Sequence, residues 1–176
     1  MPSRLGGLSL ATAGLAALGA LAAACGSGGE ALTLEEYFQR VDEIGGEAEA
    51  GFEEGAAEPP AEDASEEEVA TFAQDSIRQS ATVLKEARDS LDELDPPSEV
   101  ESPHDQFVSA LGKEAEGFQA VADGLPDALS MSDLEALDAE FDTPELNEAY
   151  EQQNKACLAL QAVADDNDID VDLECD

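Results

Sequence analysis

Apolar side chains recur at intervals of three and four along most of this chain, the period of an amphipathic helix. The first series runs through Leu34, Tyr37, Phe38, Val41, Ile44, Ala48 and Phe52. Thr33 opens it with Glu36 three places on, the spacing of a reciprocal capping box. Gly45 and Gly46 weaken its middle, each costing roughly 1 kcal/mol against Ala. Residues 55–63, with Pro59 and Pro60, break the pattern and read as a loop. Ser65 and Glu68 form a second capping box ahead of the longest stripe: Val69, Phe72, Ile77, Val83, Leu84, Ala87, Leu91 and Leu94. Arg78, Lys85 and Arg88 stand three or four places from Asp75, Asp89 and Asp92, which predicts helix-surface ion pairs worth a few tenths of a kcal/mol each.

Pro96 and Pro97 end that helix, and Ser102 followed by Pro103 reads as the N-cap and first position of the next. Its stripe is Phe107, Val108, Leu111, Ala115, Phe118, Val121 and Leu125. Residues 127–141 predict a short helix carrying Leu134, Leu137 and Phe141, or an extended turn, with Ser132 as cap. Thr143 and Pro144 open a last helix bearing Leu146, Tyr150, Cys157, Leu160 and Val163. Four long stripes with short, Pro-marked connections predict an all-α fold, an up-down four-helix bundle with a short extra helix. From Asp168 to Cys175 acids alternate with Ile169, Val171 and Leu173, so the tail reads as an extended strand laid on the bundle.

The first 25 residues follow a different logic. Arg4 gives a short positive start, residues 5–24 are uncharged and rich in Ala, Leu and Gly, and Leu21, Ala22, Ala23 and Ala24 run directly into Cys25. Small residues closing a short apolar stretch mark a cleavable signal peptide. The cysteine immediately behind them makes it a lipobox, with Ala22 where Leu is usual. An uncleaved membrane helix is the alternative, but the abrupt stop at Cys25 and the glycines behind it oppose a stop-transfer reading. Residues 1–24 are therefore expected to be a lipoprotein signal peptide. Residues 25–31 then supply a lipidated Cys25 and a Gly/Ser tether, and 32–176 an acidic helical bundle domain.

Charge sharpens this picture. The 176 residues carry 43 Asp and Glu against 7 Lys and Arg, a net charge of −36, and loss of the leader removes Arg4 but no acid. A nucleic-acid partner is excluded, because phosphate binding needs a basic surface. Such an acid excess also accompanies adaptation to high salt. With Cys25 assigned to lipid, Cys157 and Cys175 remain as an even pair in an oxidising compartment. A bridge between them is worth about 3 kcal/mol of loop entropy. A thiolate metal site would need a third cysteine or further histidines, which the chain lacks.

Catalytic signatures are sparse. His104, the single histidine, lies three residues after Glu101 in the spacing of di-iron bundles, but those sites need a second such pair. A capping or surface role is expected for it. Asp166, Asp168 and Asp170 resemble the first ligands of a calcium loop, yet Val171 occupies the position that needs Gly. The alternation also suits a strand with acids outward. No GxSxG, GxGxxG, P-loop or haem-attachment motif occurs, so neither an enzyme nor a cofactor is expected.

Residues 91–111, the opening Leu32 to Phe38 and the closing arrangement from Cys157 to Cys175 resemble small exported lipoproteins of high-GC bacteria of actinobacterial and chloroflexi type. The resemblance implies a helical exported domain with a C-terminal disulfide, and no activity. The expected function is a non-enzymatic interaction module of the cell envelope, lipid-anchored on the extracytoplasmic side of the cell membrane. Its partner would be a basic envelope protein or cations. The alternative is an envelope lipoprotein that binds a cation or a small ligand.

Overall fold

The computed structural model describes residues 32–55, 58–61 and 63–175. The expected signal peptide, Cys25 and the tether lie outside them. Four long helices dominate: α1 Leu34–Gly55, α2 Glu66–Asp92, α3 Glu101–Gly124 and α5 Pro144–Asp166. Between α3 and α5 the chain makes a five-residue helix, α4 Met131–Glu135, and a 3-10 turn, Leu137–Phe141. The long helices pack in chain order, α1 on α2, α2 on α3 and α3 on α5, as an up-down bundle. None of the described helices is long and apolar enough to cross a membrane.

The helix starts are built as the sequence dictates. Thr33 Oγ1 accepts from the Glu36 amide at 3.2 Å while Glu36 accepts from the Thr33 amide at 3.0 Å. Ser65 and Glu68 repeat the exchange, and Thr143 accepts from the Leu146 amide. Each cap satisfies donors that the first helical turn leaves free. Two starts differ from expectation. Helix α3 begins at Glu101 behind Val100, which has no side-chain cap, so Ser102 is not a cap and Pro103 sits inside the first turn. Proline is tolerated there because its missing N–H would have had no partner. Helix α4 is capped by Ser130, not Ser132. The Ser130 hydroxyl accepts from the Asp133 amide, and its own amide donates back to the Asp133 carboxylate.

The stripes converge on two apolar clusters. The larger joins Tyr37, Phe38, Val41 and Ile44 of α1 to Leu91, Val108, Leu111 and Leu160. A smaller one gathers Val69, Ala70 and Ala73 of α2 with Leu129, in the connection from α3 to α4. That connection is tied down by a hydrogen bond from the Leu129 amide to the Glu66 carbonyl, 3.0 Å. Helices α3 and α5 approach closely at Gly117, where an added methyl would collide with Leu146. Gly45 and Gly46 are different: an added Cβ meets nothing within 4 Å at either position.

All three expected surface pairs form, Arg78 with Asp75, Lys85 with Asp89 and Arg88 with Asp92. Arg78 also reaches Asp123 of α3 at 3.4 Å. All are solvent-exposed, so each contributes at most about 1 kcal/mol.

The tail is extended, as expected, but it forms no strand. Its neighbour is a helix, whose backbone groups are already consumed, so no ladder is available. The side-chain amide of Gln161 substitutes for one. Its Nε2 donates to the Val171 carbonyl and its Oε1 accepts from the Leu173 amide, both at 2.9 Å. Ile169, Val171 and Leu173 pack against the main cluster.

Candidate functional site

Helices α1 and α5 are the first and last of the bundle; their side chains share the main cluster, but their backbones make few close approaches. Their seam is a cleft of about 820 Å³. Its floor is apolar, made by Leu84 and Leu91 of α2, Phe107 and Leu111 of α3, and Leu160 of α5. Gly45 and Gly46 form part of the α1 wall, and Leu173 of the tail also lines the cleft. Around the mouth stand Asp42, Glu49, Glu53, Asp172 and Glu174, and no lysine or arginine is among the described lining residues. Phe52, on the α1 side, keeps 41% of its surface exposed.

Cys157 and Cys175 are joined in a disulfide, with Cα atoms 5.7 Å apart, as expected. The bridge fastens the tail to α5 beside the cleft, which Cys157 also lines.

The three aspartates considered for calcium are not brought together. Among the described residues no group of three or more His, Cys, Asp or Glu side chains could hold a metal ion. Asp166 ends α5 and Asp168 has φ of 56°, the left-handed residue that closes the helix. The Ile169 amide bonds back to the Ala164 carbonyl at 3.0 Å and the Asp168 amide to the Asp165 carbonyl at 3.2 Å. This is a Schellman motif with aspartate in glycine's usual place, and an L side chain in that conformation costs roughly 1 kcal/mol. Asp168→Gly is therefore expected to raise stability by about 1 kcal/mol in a urea titration. A loss would refute the capping role.

His104 contradicts the surface role expected for it. It is 4% exposed, and its Nδ1 shares a 3.1 Å hydrogen bond with the Tyr37 hydroxyl, the donor being set by the imidazole tautomer. Burial holds its pKa below the usual imidazole value, against smaller opposing effects of Asp105 and Asp92. Burial also pushes the Tyr37 phenol well above its ordinary range. Both groups are thus kept neutral, and they tie α1 to α3 inside the core.

Glu114 of α3 is the second buried polar residue, 2% exposed, and its Oε1 has no hydrogen-bond partner. Burial pushes its carboxyl up to about 7. Tyr150 of α5 is raised by burial first and by Glu114 second. Periodicity offered a signal for both missed residues. Positions 104 and 114 fall on the same face as Val108, Leu111 and Phe118, so each is a polar group in an apolar register.

No protein-family model, curated protein or solved structure matches the chain.

Proposed function

We propose that this chain is a lipid-anchored protein of the bacterial cell envelope, tethered through Cys25 on the extracytoplasmic side of the cell membrane. There it acts as a non-enzymatic helical binding module for a basic or cationic partner. The observation that carries the reading is the distribution of charge. Carboxylates stand exposed along α1, α2 and the tail, while Arg40, Arg78, Lys85 and Arg88 are each engaged by acids of the same molecule. The surface therefore presents a large uncompensated negative field, which steers and retains cations. The disulfide is in keeping with an oxidising compartment. Growth of cells expressing the full chain with an alkyne fatty acid tests the anchor. Label should appear on the wild-type protein and vanish in Cys25→Ser. Unlabelled wild type, or protein shielded from protease in spheroplasts, would overturn the assignment.

A further inference from the structure

We infer that the seam between α1 and α5 is a binding site for a small amphipathic cation, a molecule with an apolar body and one positive charge. This rests on the reading of the chain as a binding module for cationic partners, and it gives that reading a place. The cleft volume of about 820 Å³ lies within the range of small-molecule sites. Its floor would bury an apolar body against Leu84, Leu111 and Leu160. Its mouth carries five carboxylates and no described cation, and low-dielectric walls concentrate such a field on a cation entering between them. Anionic lipid is repelled, and so is a second copy of a chain of net charge −36.

Gly45 marks a position from which the cleft can be blocked. Gly45 is exposed on the cleft wall, four residues after Val41 and three before Ala48 in the register of α1. No close approach requires a glycine there, since an added Cβ would meet only open space. This contrasts with Gly117, whose missing side chain makes room for Leu146. The two glycines weaken the helix and fill nothing. At Gly45, which lines the cleft, a larger side chain has open space to enter.

The test uses the full chain in zwitterionic nanodiscs, with leucine methyl resonances as the readout. Tetraphenylphosphonium is expected to shift Leu84, Leu111 and Leu160, with half-saturation below about 1 mM. Tetraphenylborate, the same shape with the opposite charge, and tetramethylammonium, the charge without the body, should each bind at least about tenfold more weakly. Gly45→Leu should weaken tetraphenylphosphonium by about tenfold or more while its melting temperature stays level or rises. Equal shifts from both tetraphenyl ions, equal affinity in wild type and Gly45→Leu, or no shift would overturn the site. None of these results touches the anchor, which is read by lipid labelling. If a basic amphipathic peptide shifts the same methyls and tetraphenylphosphonium does not, the small-ligand assignment falls and the binding module stands.

Discussion

Glu114→Gln is expected to stabilise the protein by about 3 kcal/mol at pH 8 and by less than about 1 kcal/mol at pH 5. The carboxyl is buried without a partner on Oε1, and its folded pKa stands near 7 against an ordinary 4.5. Below 4.5 the group is protonated whether the chain is folded or not, and it contributes no pH dependence. Between 4.5 and 7 the unfolded chain releases the proton while the folded one keeps it, so stability falls as pH rises. Above 7 both forms are ionised, and the full cost of a buried charge is present. Glutamine has nearly the same shape and no charge, so the penalty disappears. Melting temperatures of wild type and variant should converge at acid pH and separate by roughly 10 °C at pH 8. His104 has the opposite dependence, because a folded pKa held low destabilises the protein as pH falls below about 6.5. That contribution is common to both proteins and cancels in the difference. A gap of equal size at pH 5 and pH 8 would mean that Glu114 is not the titrating group.

The double substitution Cys157→Ser and Cys175→Ser should cost about 3 kcal/mol and lower the melting temperature by roughly 10 °C. The crosslink spans a sequence separation of 18, and its loss returns that loop entropy to the unfolded chain. The damage should be local in the native state. Once untied, the tail is held by the Ile169 amide on Ala164, by the Gln161 amide and by Ile169, Val171 and Leu173 on the core. Exchange of the Leu173 amide should quicken sharply, while the Val108 and Leu111 amides, inside α3, slow down exchange as before. If reductant leaves both the melting temperature and the Leu173 amide unchanged, the bridge carries none of the tail's stability.

The helices were legible because two signals coincide along the chain. Threonine or serine paired with glutamate three places on marked the starts of α1 and α2, and the apolar period marked the faces that Phe38, Val41 and Leu111 bury. The tail's alternation correctly indicated which of its side chains would be inward. It could not indicate that the acceptor would be a glutamine on a helix, so a strand was expected where none forms. His104 stands at a helix start, where side chains are expected to face solvent, and Glu114 is an acid among apolar neighbours. Their register, in line with Leu111, carried the better information. The cleft has no per-residue signature at all. It arises from which helices become neighbours.

The order in which the helices pack has a kinetic consequence. Close backbone approaches join each long helix to the next along the chain, while α1 and α5 meet through the side chains of the shared core. Such a topology has low contact order, and chains of that kind cross their folding barrier in microseconds to milliseconds. The α1–α2 pair is local in sequence, while the main core closes only when α5 and the tail arrive. Thiol oxidation, the slower chemistry, then fastens the tail to α5.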